Sequence, residues 1–147
     1  MDLQSYFSGF VDGEGSFCVS FNKSKRHKFG WDIRPSFSVS QNRENSLTLE
    51  KMRECWNCGF IRPDSSDDTL KYEVRSVPKL VEIIIPHFEK FPMLSKKQEE
   101  FCRFAEICRM MLDRKHLTKE GFNVITNIAS KLNLHGKKKF SRLEIKI

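Results

Sequence analysis

At 147 residues the chain is long enough to bury one real core and too short for two ordinary domains. Its 39% hydrophobic and 31% charged residues, with thirteen Phe supplying most of the aromatic content, exclude disorder as the main state. A net charge of +7 and a pI near 9.3 favour a polyanionic partner over an acidic small molecule or a neutral surface.

From Leu3 the apolar residues Phe7, Phe10 and Val11 fall at helical spacing, with Asp2 or Ser5 available as the cap. Gly9 and Gly13 lie four apart on one face of this helix, where each glycine costs about 1 kcal/mol relative to alanine. Such a face is kept bare so that another backbone can approach closely. After Gly15 the period changes to two. Phe17, Val19 and Phe21 alternate with Ser16, Cys18, Ser20 and Asn22, which predicts a half-buried strand. A basic loop from Lys23 to Lys28 leads to a second strand, in which Ile33, Pro35, Phe37 and Val39 alternate with polar residues.

Asn45 is positioned to cap a helix through Leu47, Met52 and Trp56, with Gly59 at its end. A second strand pair is predicted at 60–62 and 70–75, with Leu70, Tyr72 and Val74 facing one way and Lys71, Glu73 and Arg75 the other. Ser76 and Pro78 open a short apolar helix that is expected to stop at Pro86. Ser95 and Gln98 form a capping-box pattern before a long helix with Phe101, Phe104, Ala105, Cys108 and Leu112 inward. A last helix starts at Thr118 and carries Phe122, Ile125, Ile128, Ala129 and Leu132. The order is αββαββα with helices appended, so the class is α+β: a four-stranded antiparallel sheet covered by helices on one face.

The open, polar sheet face is the candidate surface for the polyanionic partner that the charge favours. It comprises Ser20, Asn22, Arg34, Ser36, Ser38, Arg62, Lys71, Glu73 and Arg75, because a β-ribbon in the major groove needs mixed donors and acceptors at period two. Lys23, Lys25, Arg26 and Lys28 suit phosphate contacts from the loop. The charge excess sits late in the chain: residues 1–113 hold 17 basic and 17 acidic side chains, whereas 114–147 holds nine basic against Glu120 and Glu144. Lys137, Lys138 and Lys139 are therefore expected to clamp the flanking DNA backbone. One domain is expected over 1–147, with a core over about 3–113 and a basic helical extension over about 114–147.

No apolar run approaches the ~20 residues of a membrane helix, and the N-terminus lacks the order of a signal peptide. The expected setting is intracellular, a cytoplasm or an organelle such as a chloroplast or mitochondrion. The five cysteines are scattered and unlike a disulfide framework. Cys55-Trp-Asn-Cys58 has no second ligand pair, which leaves a zinc reading without support.

Phe7-Ser-Gly-Phe-Val-Asp-Gly-Glu-Gly15, followed by Ser16-Phe17, resembles the nine-residue signature of the LAGLIDADG homing endonucleases. Gln41 at the end of the second strand, the segment from Phe88 to Lys97 and the element order agree with that family over residues 3–113. Phe7 stands where the family commonly has Leu, and Arg43 is close to, but not clearly in register with, a second basic position. The resemblance implies a single-motif, homodimeric, intron-encoded endonuclease cutting both strands of a long, near-palindromic DNA target. It implies Glu14, Gln41 and Lys97 as catalytic residues, with Lys96 the neighbouring alternative. It also implies Glu14 and Gly13 as metal ligands, and Phe7, Gly9, Phe10, Asp12 and Gly13 as the dimer interface. The implied cofactor is Mg²⁺, with Mn²⁺ substituting and Ca²⁺ supporting binding without cleavage; no small-molecule cofactor and no membrane partner are implied. A non-catalytic nucleic-acid binder on the same fold, an intron-RNA maturase or a DNA-binding regulator, is the alternative.

Overall fold

The computed structural model describes residues 1–64 and 68–132. Helix α1 (Leu3–Glu14) starts where Asp2 accepts hydrogen bonds from the Gln4 and Ser5 backbone N–H groups at 3.2 and 3.4 Å. Asp2 is thus the cap, and Ser5 donates its hydroxyl to it at 2.6 Å. Gly15 then opens strand β1 (Gly15–Lys23), which pairs antiparallel with β2 (Trp31–Asn42) from Gly15 opposite Val39 to Lys23 opposite Trp31. Helix α2 (Leu47–Trp56) leads to β3 (Phe60–Pro63) and β4 (Thr69–Val74). The sheet order is β1-β2-β4-β3 with every neighbour antiparallel. Pro35 is tolerated inside β2 because pairing with β4 begins only at Phe37, so no bond to β4 is lost.

Alternation along the strands does what the sequence pattern predicts. Phe17, Val19, Phe21, Ile33, Phe37, Val39, Tyr72 and Val74 are buried under the helices. Phe17 is the hub: its ring lies 5.3 to 5.6 Å from those of Phe37, Phe88, Phe101 and Phe104. Each such aromatic pair contributes roughly 0.5–1.5 kcal/mol beyond the area it buries. That single cluster joins β1, β2 and the two helices that cover them.

Several expectations are corrected. Asn45 does not cap α2; it ends a 3₁₀ turn, Arg43–Asn45, and Ser46 stands at the N-cap. The helix turns off at Asn57, whose φ of 50° is left-handed, and Gly59 follows at φ 80°. Pro86 does not stop its helix. Helix α3 (Val77–Lys79) widens into a π turn, Leu80–Ile84, and continues as α4 (Ile85–Lys90), so the proline is taken into a first turn that needs no N–H from it. In α5 (Lys97–Leu112), Leu112 is 45% exposed while Ile107 is buried. Helix α6 (Lys119–Leu132) packs against α5.

Behind α1 lies a buried polar contact. His87 of α4 sits between Ser8 Oγ and Gln4 Oε1, at 3.0 and 3.1 Å, and Ser8 donates to the Phe91 carbonyl at 2.5 Å. Burial pushes the His87 imidazole down to about 4, from an ordinary value of 6.5. Between those values the unfolded chain binds a proton that the folded chain does not, so stability is complete above pH 6.5 and falls with pH toward 4. Denaturant unfolding should lose up to about 3 kcal/mol through this group over that window. His87→Gln should flatten the profile there; an unchanged slope would assign it to the carboxylates instead.

Candidate active site and nucleic-acid interface

Glu14 is the last residue of α1 and exposed, and its carboxylate makes no hydrogen bond or ion pair with the described residues. The unpaired carbonyls of the last turn, Gly13's among them, point past the same helix end, so the helix terminus and one carboxylate offer a set of hard oxygen donors. Hard oxygens suit Mg²⁺ or Ca²⁺ and not zinc. Among the described residues there is no group of three or more His, Cys, Asp or Glu side chains able to hold a metal. Cys55 is exposed, and Cys58 is half-buried beside Tyr72, whose hydroxyl donates to the Cys58 carbonyl at 2.8 Å. Burial raises the Cys58 thiol.

Two contacts clasp the end of α1. Lys97 donates its ammonium to the Gly15 carbonyl at 2.6 Å, which places a positive charge one residue from Glu14. Asp12 accepts from the Leu94 and Ser95 backbone N–H groups at 3.3 and 3.2 Å and from the Ser95 hydroxyl. The Ser95 hydroxyl, aided by those N–H groups and the Lys97 charge against a modest burial cost, holds the Asp12 carboxyl below the ordinary carboxylate range. The capping box therefore forms only in part. Asp12 takes the Ser95 N–H, and Gln98 Oε1 accepts from Met93 N at 3.0 Å. Gln41 lies two residues beyond the Gly15 to Val39 pair, at the same end of the sheet, and its Oε1 accepts from Asn42 N at 2.9 Å. Lys96 is exposed, and Arg43 is exposed at the start of the 3₁₀ turn.

The dimer-face expectation divides. Phe7 is fully buried with its ring 5.3 Å from Trp56, so it belongs to this chain's own core and cannot line an interface. Asp12 has its carboxylate committed within the chain. Gly9 and Gly13 remain exposed, and a Cβ added at either would meet nothing within 4 Å. Nothing among the described residues requires glycine there. Tyr6, 42% exposed and stacked on Phe10 at 6.1 Å, shares this face and escaped the sequence reading, although it lies three residues before Gly9 at helical spacing.

On the far side of the sheet, the polar face forms a groove of about 640 Å³ lined by Ser20, Asn22, Arg34, Ser36, Ser38, Lys71, Glu73 and Arg75. Ser16 lies in the same groove and was missed, although it is in phase with the alternation. Lys23, Lys25, Arg26 and Lys28 are all exposed at the tip of the β1–β2 hairpin. Lys137, Lys138 and Lys139 lie outside the described residues. Glu73 requires correction, because it is buried beneath its neighbours at 6% exposure. It accepts from Ser36 Oγ at 2.7 Å and from Arg62 and Arg75 at 3.1 Å each, with Arg62 reaching in from the edge strand β3. Burial would raise this carboxyl, but those three donors outweigh it and hold it below its ordinary value.

A family model described as a LAGLIDADG endonuclease matches residues 7–108, from the motif helix through most of α5. The chain belongs to the LAGLIDADG endonuclease family. It is similar to "Probable intron-encoded endonuclease 2" of Neurospora crassa, 34% identical over 130 residues, covering 88% of this chain and 29% of that protein. Among solved structures, the homing endonuclease I-TnaI superposes with a TM-score of 0.84 at 33% identity, covering 90% of this chain and 89% of that one. I-SmaMI bound to cleaved DNA gives 0.88 at 27% identity, covering 98% of this chain and 47% of that one. The chain spans under a third of the length of the first curated relatives that it matches. The α+β fold with four antiparallel strands is the fold of these LAGLIDADG structures. Among the described residues no helix is long and apolar enough to cross a membrane.

Because Asp12 fixes the chain entering α5 to the end of the motif helix, Asp12→Ala should lower stability by about 1–2 kcal/mol, the size of a lost helix cap. Asp12→Asn, which keeps an acceptor, should recover part of it. Urea unfolding midpoints of the three proteins test this; equal midpoints would show that the clasp holds nothing.

Proposed function

We propose that the chain is the DNA-cleaving unit of an intron-encoded homing endonuclease that hydrolyses one phosphodiester in each strand of a long, near-palindromic target. The observation that carries this reading is the placement of Glu14. An exposed, unpartnered carboxylate ends a helix whose glycine face is bare, at one end of a sheet whose other face is a polar groove. I-SmaMI, solved on cleaved DNA and on an uncleaved DNA target in the presence of calcium ions, supports DNA as the partner.

In this reading a second copy packs its α1 against Tyr6, Gly9, Phe10 and Gly13, which brings two Glu14 carboxylates together at the two-fold axis and fits a palindromic site. Glu14 and the Gly13 carbonyl are the ligands for Mg²⁺, with Mn²⁺ able to replace it and Ca²⁺ supporting binding alone. When bound, the ion polarises the scissile phosphate and lowers the pKa of a water. Lys97, held in place by its bond to the Gly15 carbonyl, offsets charge that builds on the phosphate during attack. Gln41 orients the attacking water. Lys23, Lys25, Arg26 and Lys28 lie against phosphates beside the groove, and Lys137 to Lys139 extend that contact. The chain 1–147 acts as one domain, in a cytoplasm or an organelle.

Cleavage of a duplex library in Mg²⁺, with Ca²⁺ for binding alone, tests the assignment. Glu14→Gln should lower double-strand cutting at least about a hundredfold while binding in Ca²⁺ persists. Tight binding with no cutting by the wild type in any divalent metal would move the assignment to a maturase or regulator. Sedimentation of the wild type on its DNA should give a dimer that Gly9→Leu and Gly13→Leu disrupt. A cutting-competent monomer would overturn the homodimer.

A further inference from the structure

Glu73 stands on the proposed DNA-binding face with both carboxylate oxygens occupied. Oε1 accepts from Arg62 Nε and Arg75 Nη2, each at 3.1 Å, and Oε2 accepts from Ser36 Oγ at 2.7 Å and faces Arg75 Nε at 3.1 Å. Three hydrogen-bond donors and the facing Arg75 Nε engage both carboxylate oxygens, which leaves Glu73 poorly placed to accept from a cytosine amino group. The acid is hidden, with its side chain 8% exposed, while the Arg75 side chain is 58% exposed and the Arg62 side chain 37%. Three constraints fix the arginines. Arg75 donates from Nη2 to Glu73, turns Nε toward the same carboxylate as an ion pair, and lies over the Phe60 ring, 5.4 Å from the centroid. Arg62 is held at Nε by Glu73 and at Nη1 by the Pro63 carbonyl, 3.3 Å away. Among the described residues nothing bonds the outer Nη1 and Nη2 edge of Arg75, two nearly parallel N–H donors in one plane, which matches the O6 and N7 acceptors of guanine.

We propose that Glu73 is a positioning residue for sequence readout, holding Arg62 and Arg75 as pre-set readers of guanine in each half-site of the DNA target. The proposal rests on the endonuclease reading above. Its physical basis is that a long, mobile arginine loses side-chain entropy when it meets a base, and a guanidinium already fixed by an acid and an aromatic ring loses less. The cluster carries two positive charges and one negative. It is therefore a poor phosphate trap for its arginine count, and Arg75 lines the groove whereas the hairpin lysines lie outside its lining. Ser36 and Ser38, opposite Cys18 and Ser16 on β1, keep the floor beside the cluster low enough for a base edge to reach it.

The test is selection from a randomised duplex DNA library in Ca²⁺ with sequencing of the bound fraction. The proteins are wild type, Arg75→Lys, Arg62→Lys and Glu73→Gln, each confirmed folded by circular dichroism. The wild type should prefer guanine roughly tenfold at one position per arginine in each half-site. Each lysine variant should bring its own position to within about twofold of the other bases and leave the rest of the site unchanged. Glu73→Gln should weaken both guanine positions together while both arginines are still present, and should not weaken binding to unselected DNA. A purely structural role would instead lower all binding alike. Overturning results are a uniform loss of affinity with the salt slope reduced by about one for either lysine variant, which marks phosphate contact, or a selected site whose guanines ignore all three substitutions. A wild type that selects no sequence overturns the endonuclease reading as well.

Discussion

Everything at the active end of this molecule depends on a helix that has to be apolar on two sides at once. Phe7, Ser8 and Val11 commit one side of α1 to the chain's own core, where Phe7 meets Trp56 and Ser8 meets His87. Tyr6, Gly9, Phe10 and Gly13 leave the other side flat, with no neighbour among the described residues within 4 Å of a Cβ added at either glycine. A twelve-residue helix with two interior glycines is weak alone. Its rigidity comes from the inner face, and its use from the outer. The direction in which Glu14 projects follows from how firmly the inner face is seated, and the His87 contact is one of the things that seat it.

The clasp at the helix end follows from the same need. In the proposed site the Glu14 side chain stays available for a cation, so it is held through its backbone. Asp12 and Lys97 do this from opposite sides of the turn, one bonding the loop before α5 and the other the first residue of β1. Through them α5 is fixed to the motif, and Phe101 and Phe104 tie α5 to Phe17 of β1. The route from core to carboxylate is short, which suits a site where an ångström of misplacement is costly.

On the opposite face of the sheet, charge is managed differently. The helix-covered side closes over aromatic rings, whereas the open side keeps its polar groups paired with one another until a ligand comes. Arg34 donates to Asp32 at 2.6 Å, and Glu73 gathers Arg62, Arg75 and Ser36. Acid-anchored arginines give the groove direction as well as positive potential. Loose lysines, such as those of the β1–β2 hairpin, supply potential alone.

Sequence by itself determined the sheet, its two faces, most of the core and the motif helix, because period-two and helical patterns report which side of an element meets water. It also marked Gly9 and Gly13 as unusual and Glu14 as the carboxylate to watch, since the motif is contiguous in the chain. Tertiary structure decided what depends on partners distant in sequence. Phe7 turned inward because Trp56 lies beside it. Pro86 sits inside a helical run because a π turn absorbs it, and α5 buries Ile107 while Leu112 in its last turn stays 45% exposed. Glu73 became an organiser of arginines because β3 and β2 bring Arg62 and Ser36 to it from 11 and 37 residues away. Alternation assigns a residue to a face, but it cannot say which neighbour on that face will take its charge. That choice is made by strand order and register, which are properties of the assembled sheet.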